Sequence, residues 1–129
     1  MFDNCTIFCK KNGYVTAAST LETTAYGFVF LNCKITGNAS ENSFYLGRPW
    51  RPFAKTVFIN CYLDNHIKPE GWHNWNKPDA EKTSYYGEYN SSGPGANILK
   101  RVPWSHQLSD SEVQQYTLEK IFGDWKIQY

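Results

Sequence analysis

The 129-residue chain is predicted to fold as an all-β parallel solenoid of about 28 residues per coil, with one short helix at its C-terminal end. Three observations predict this. A six-residue block recurs at constant spacing: Phe2-Asp3-Asn4-Cys5-Thr6-Ile7, Phe30-Leu31-Asn32-Cys33-Lys34-Ile35 and Phe58-Ile59-Asn60-Cys61-Tyr62-Leu63, each 28 residues after the last. The stretches around the blocks are short, β-rich and punctuated by Gly, Asn and Pro. No helical period runs through the repeat. A β-sandwich of short strands gives no reason for residues to recur in register, and an α/α repeat needs the helical periodicity the blocks lack.

Within each block, Phe, Asn and Thr/Lys/Tyr hold one parity, and the variable residue, Cys and Ile/Leu hold the other. A period of two sends these sets to opposite faces of a strand. Both sets contain apolar members, so the block alone does not say which face is inside. Coils stacked about 4.8 Å apart would align Asn4, Asn32 and Asn60 in an amide ladder, and Cys5, Cys33 and Cys61 in a thiol ladder. The same spacing carries Phe58 to Tyr86 in Tyr86-Gly87-Glu88-Tyr89, keeping the aromatic and losing Asn and Cys. It also aligns Thr16-Ala17-Ala18-Ser19 with Phe44-Tyr45-Leu46-Gly47 and with Trp72-His73-Asn74-Trp75. Residues 64–82 and 90–106, rich in Pro, Gly, Asn and Trp, are predicted as long loops, which in a solenoid serve function or cover an end. Ser109-Asp110-Ser111-Glu112 has the form of a capping box. Val113, Tyr116, Thr117, Lys120 and Ile121 follow at helical spacing and Gly123 supplies a stop, so one helix is predicted over 109–122.

Composition narrows the functional classes. Lys and Arg total 13 against 12 Asp and Glu, a net charge of +1 that leaves no basic surplus for a nucleic-acid backbone. Apolar runs are only a few residues long, which excludes a membrane-spanning helix. The start, Met1-Phe2-Asp3-Asn4-Cys5, lacks the charged and apolar regions of a signal peptide. The 8 Phe, 9 Tyr and 5 Trp are a surplus that serves a core first, and after that a face that stacks on flat rings such as sugars.

The cysteines match no metal motif, and three of them at the repeat period are expected as a buried stack, with a disulfide between coils left open. His66, His73 and His106 have no metal spacing and are expected on the surface or in hydrogen bonds. No Gly-x-Ser-x-Gly elbow and no phosphate-binding Gly loop occur. Sequons at Asn4, Asn38 and Asn90 are taken as chance, with Asn4 expected to be inaccessible on the ladder. The most informative stretch is Tyr45-Leu46-Gly47-Arg48-Pro49-Trp50-Arg51-Pro52. An Arg beside a Trp suits an acidic sugar, the guanidinium pairing with a carboxylate and the indole stacking on the ring. The same pair equally suits a cation–π pin with only a structural role.

Leu46-Gly47-Arg48-Pro49-Trp50 resembles the Leu-Gly-Arg-Pro-Trp motif of pectin methylesterases. Thr56-Val57-Phe58, the segment Asp64 to Trp72, Tyr85-Tyr86-Gly87-Glu88-Tyr89, Gly93-Pro94-Gly95-Ala96 and Trp104-Ser105-His106-Gln107-Leu108 resemble that family's C-terminal half in the same order. The resemblance implies a right-handed parallel β-helix. It implies hydrolysis of methyl esters of homogalacturonan to pectate and methanol, with no metal and no organic cofactor. In the family one Asp attacks the ester carbonyl, a second protonates the leaving methanol, and glutamines stabilise the oxyanion. Arg48 maps onto the Arg that orients the nucleophilic Asp and keeps it ionised, and Trp50 onto the Trp that contacts the galacturonate ring. Trp72 and Trp75 are weaker substrate-binding candidates.

The sequence departs from the family at its start. The Gln-Asp and Asp-Phe-Ile-Phe-Gly segments that carry both catalytic aspartates have no match, and the second would end just before Phe2. Asp3 stands at the repeat position of Leu31 and Ile59, and Asp64, Glu70, Glu88 and Asp110 match no catalytic position. The chain is therefore expected to be the C-terminal portion of one β-helix domain, lacking the N-terminal coils. Residues 1–90 would form coils with loop 64–82 inserted, and 91–129 the C-terminal loop and helix. The partner expected is pectin, not nucleic acid or membrane, with self-association through an uncapped N-terminal coil. Secretion to an extracellular or periplasmic site follows from the family. The alternative is a non-catalytic pectin-binding β-helix fragment.

Overall fold

The computed structural model describes residues 1–126 and 128. In chain order the strands are β1 (Phe2–Asp3), β2 (Thr6–Cys9), β3 (Gly13–Ala18), β4 (Phe28–Leu31), β5 (Lys34–Gly37), β6 (Phe44–Pro49), β7 (Lys55–Ile59), β8 (Tyr62–Leu63), β9 (Tyr85–Tyr89) and β10 (His106–Gln107). They form three parallel sheets, in the orders β1-β4-β7-β9-β10, β2-β5-β8 and β3-β6. Phe2 faces Phe30, Phe30 faces Phe58, Thr6 faces Lys34 and Lys34 faces Tyr62, so the 28-residue repeat is one coil of a parallel β-helix. β1, β2 and β3 each pair on one side only.

A left-handed residue resolves the inside-or-outside question that parity leaves open. Asn4, Asn32, Asn60 and Asn90 have φ of 54°, 54°, 52° and 48°, a conformation Asn tolerates better than most residues. Each turns the chain sharply at the end of a strand and resets the alternation. Phe30, Cys33 and Ile35 therefore all point inward, at 2%, 2% and 0% exposure, although strict alternation would split them. Inside, Phe2, Phe30 and Phe58 stack with centroids 4.8 and 4.5 Å apart and planes within 7° and 4°. The asparagine side chains lie outside, and Asn4 is exposed rather than inaccessible. The ladder at this corner runs through backbone: the N–H groups of Asn4, Asn32 and Asn60 donate to the carbonyls of Leu31, Ile59 and Tyr89 at 2.9–3.0 Å. Only the Asn90 amide donates to another amide of the set, Asn60, at 3.1 Å.

The thiol ladder forms, and all four cysteines are free. Cys33 Sγ donates to the carbonyls of Phe2 and Leu31, and Cys61 Sγ to those of Phe30 and Ile59. Burial pushes the Cys61 thiol up to about 12, and Cys9 and Cys33 shift the same way. These thiols are inert packing groups.

The period does not extend as the sequence suggests to the other two blocks. Phe58 faces Glu88 and Thr56 faces Tyr86, an offset of 30, because the segment from Asp64 to Ser84 has two residues more than its counterpart in the coil before it, Thr36 to Ala54. In the third sheet Gly13 faces Phe44 and Thr16 faces Gly47, an offset of 31. Isolated bridges then join Phe44 to Ile67 and Gly47 to Trp72. Corner loops change length from coil to coil while the rungs stay in register. Gly47 is fixed by this packing, since a Cβ there would collide with Thr16 Oγ1 and lie 3.1 Å from the Trp72 ring.

The C-terminal helix is broken. The capping box forms, with Ser109 Oγ accepting from the Glu112 N–H and the Glu112 carboxylate accepting from the Ser109 N–H. α2 (Asp110–Val113) runs into a 3-10 turn at Gln114–Tyr116, following the short α1 (Ala80–Thr83) earlier in the chain. Thr117 then adopts an extended ψ of 157° and caps a new helix, α3 (Leu118–Phe122), which Gly123 stops. The expected single helix failed because Thr117 serves as a cap, a role threonine prefers over the helix interior. No helix among the described residues is long and apolar enough to cross a membrane.

Candidate functional site

The outer side of the third sheet gathers rings and cations. β6 contributes Tyr45 and Arg48, β3 contributes Tyr14, and the irregular segment after β8 contributes Lys68, His73, Trp75 and Lys77. The Arg48 guanidinium lies between two rings, 3.9 Å from the Tyr14 centroid and 3.6 Å from that of Trp75. Its Nε is buried with no hydrogen-bond partner. Tyr14 and Tyr45, neighbours in register, stack at 5.4 Å and 13°. Lys77 Nζ lies 4.9 Å from the Trp75 centroid and donates to the carbonyls of Pro49 and Trp50. Among the described residues, no carboxylate lies within ion-pair distance of Arg48, Lys68 or Lys77.

Trp50 is 56% exposed and inclined at 58° to Trp75, with centroids 5.1 Å apart. The indole that stacks on Arg48 is therefore Trp75, not its sequence neighbour. Trp75 and Asn76 both adopt positive φ, 53° and 54°, which is costly for a bulky residue and persists only where surroundings enforce it. The enforcement is local: the Trp75 N–H donates to His73 Nδ1 at 3.0 Å, and the Asn76 N–H to Asn74 Oδ1 at 2.9 Å.

Trp72 does not share this face. It is 1% exposed, stacks on Tyr86 at 4.4 Å and 8°, and points Nε1 at Glu88 Oε2. The 28-residue alignment put it in the wrong register, and it serves the core. Glu88 is also structural: it takes Arg101 in a two-pronged ion pair at 2.8 and 3.0 Å, both side chains nearly inaccessible. Arg101 further donates to the carbonyls of Pro69 and Gly95, tying the two long loops to the coil and supporting the segment that carries the site. Asp64 accepts from Thr36 and the Asn65 N–H, which hold its carboxyl below the ordinary range, backbone donor first.

His66 is neither on the surface nor hydrogen-bonded. It is 1% exposed, edge-on to Phe44, and neither ring nitrogen has a partner. Burial lowers its pKa, against the opposing pull of Asp64. The unfolded chain then binds the proton more readily, so this contribution to stability is complete above the unfolded-state pKa of about 6.5 and is lost as pH falls through the lower folded-state value. Thermal midpoints should drop below about pH 6.5, and His66→Phe should flatten that slope. An equal slope in both proteins would remove His66 as the cause.

Tyr14, Lys68 and Lys77 were not among the residues the sequence singled out; Tyr45 stood there only at the head of the informative stretch, and His73 only as a histidine expected on the surface or in hydrogen bonds, where it does accept the Trp75 N–H. A Tyr14–Tyr45 pairing at an offset of 31 was available as a signal, but the dominant 28-residue period concealed it.

Fold and face together define a parallel β-helix protein with an outer surface of cations held on aromatic rings. The pectinesterase family model matches residues 1–124. Pectinesterase 31 of Arabidopsis thaliana is 41% identical over 117 residues, covering 90% of this chain and 37% of that relative. A pectin methylesterase solved in complex with a hexasaccharide superposes with a TM-score of 0.82 at 29% identity, over 99% of this chain and 46% of that one. The pectin methylesterase of Yersinia enterocolitica gives 0.80 at 34% identity, over 98% and 48%. The chain belongs to the pectinesterase family, whose members are carboxylic ester hydrolases. It spans little more than a third of the length of that curated relative and less than half of either solved chain.

Proposed function

We propose that this chain is the C-terminal portion of a single pectin methylesterase β-helix domain, supplying the part of the active site that holds the polymer and orients the nucleophile. The parent reaction is hydrolysis of galacturonate methyl esters in homogalacturonan to pectate and methanol. The observation that carries this is Arg48: a guanidinium fixed between Tyr14 and Trp75, with a buried, unpartnered Nε and no carboxylate of its own. A buried unpaired donor is costly unless an acceptor arrives. The free side of β3, in the same sheet as Arg48, is where a strand bearing the nucleophilic Asp would pair. In that arrangement Arg48 keeps the Asp ionised, while the exposed Trp50 indole, inclined against half-buried Trp75, stacks on a sugar ring. Acting on that substrate implies secretion, to an extracellular or periplasmic site.

Determining the sequence in frame upstream of Met1 tests this reading. Gln-Asp and Asp-Phe-Ile-Phe-Gly segments are expected there, and the longer polypeptide should release methanol from methyl-esterified pectin. A stop codon in that frame, with no methanol released, would leave a non-catalytic pectin binder. The one-sided β1, β2 and β3 also favour self-association of this chain alone. Sedimentation at rising concentration should show species larger than the monomer, and a sharp monomer throughout would discard the idea.

A further inference from the structure

Next to Arg48 the cationic strip continues into a cluster outside the Leu-Gly-Arg-Pro-Trp motif. Lys68 Nζ lies 4.7 Å from the centroid of the Tyr45 ring, and the His73 imidazole 5.0 Å from the same ring. Tyr45 stacks on Tyr14, and Tyr14 carries Arg48, so two rings separate the Lys68 ammonium from the guanidinium. Lys68 is firmly tethered: its N–H donates to the Phe44 carbonyl at 2.7 Å and its own carbonyl accepts from Arg101. An ammonium resting on a ring face keeps N–H donors for an incoming anion.

His73 offers a second donor of defined chemistry. Its Nδ1 accepts the Trp75 N–H, so in the neutral ring the proton sits on Nε2. That Nε2–H has no partner among the described residues, and it is not one of the buried unpartnered atoms. Burial, and then the charges of Arg48 and Lys68, keep His73 below the ordinary histidine range, which preserves this neutral form near pH 7. One cation and one neutral donor grouped around Tyr45, whose ring faces are taken by Tyr14 and Lys68, match the carboxylate of a uronic acid that meets both donors. A methyl ester in the same place has no charge and loses the stronger, charge-assisted contact.

We propose that Tyr45, Lys68 and His73 form a second uronate subsite beside Arg48, selective for an unesterified carboxylate on a sugar near the one Arg48 addresses. The inference rests on the pectin-binding function proposed above. The strip would then favour polymer already de-esterified in part over polymer fully esterified.

Calorimetric titration of the chain with hexagalacturonate, and with its fully methyl-esterified form at the same ionic strength, tests this in the parent, Lys68→Met, Lys68→Arg and Arg48→Ala. Lys68→Met should bind the unesterified hexamer about tenfold more weakly, as expected for losing one charge-assisted hydrogen bond. Its affinity for the esterified hexamer should not change, and Lys68→Arg should restore the difference. Matching circular dichroism spectra establish that each variant folds. Equal losses for both ligands in Lys68→Met, or no loss for either, overturn the subsite, while weaker binding by Arg48→Ala still supports the Arg48 function. If the parent binds neither hexamer, the pectin-binding function fails, and the subsite with it.

Discussion

Glu88→Ala should cost this chain about 3–5 kcal/mol of stability, the range for breaking one side of a buried ion pair. The urea midpoint should fall at unchanged slope. The size follows from what remains: Arg101, almost fully buried, keeps its bonds to the Pro69 and Gly95 carbonyls but loses its carboxylate partner. Trp72 Nε1 loses its acceptor in the same step. The charge is costly because it is stranded, not because the pair is strong, and a second variant separates the two. Replacing both partners, as Glu88→Leu with Arg101→Met, should recover much of the loss, since apolar side chains of similar volume carry no desolvation penalty. A Glu88→Ala midpoint close to that of the parent would show that water or a shifted loop already serves Arg101.

Arg48→Lys should remove most methanol release from the longer polypeptide, and weaken binding of hexagalacturonate to this chain by about tenfold or more. A guanidinium is planar, so it fits between Tyr14 and Trp75 and still offers a bidentate edge to a carboxylate. An ammonium keeps the charge but not the plate. It would leave the two rings without the slab between them and give the carboxylate a single point contact. Unchanged turnover in this variant would take Arg48 out of the mechanism. Unchanged binding with lost turnover would confine it to orienting the nucleophile.

The coil and its core were legible because identity recurs wherever stacked side chains must match, as with Phe2, Phe30 and Phe58 or Cys5, Cys33 and Cys61. Inside and outside were not legible from alternation, because a left-handed Asn in mid-block resets parity without changing the residue pattern around it. Arg48 and Trp50 were singled out through their motif. Trp72 and Trp75 could not be told apart, because two adjacent turns of an irregular segment send one indole into the core and the other onto Arg48. The rest of the face joins residues from β3, β6 and a loop whose spacing obeys no repeat, so nothing local marks them as neighbours. The helix over 109–122 was placed correctly at both ends and missed its break, since Thr117 reads as a helical position until its cap is seen.

The uneven corners bear on how such a protein can change over generations. Offsets of 28, 30 and 31 coexist in one stack because each rung is set by its neighbours above and below, while the lengths of the connecting stretches are free. Lys68, His73, Trp75 and Lys77 all lie in one such stretch, between β8 and α1. Insertions or deletions there would alter the reach and charge of the cationic strip without disturbing the phenylalanine and cysteine columns. Scaffold and recognition are thus separable traits, so ligand preference can drift among descendants of this chain while their coils stay superimposable.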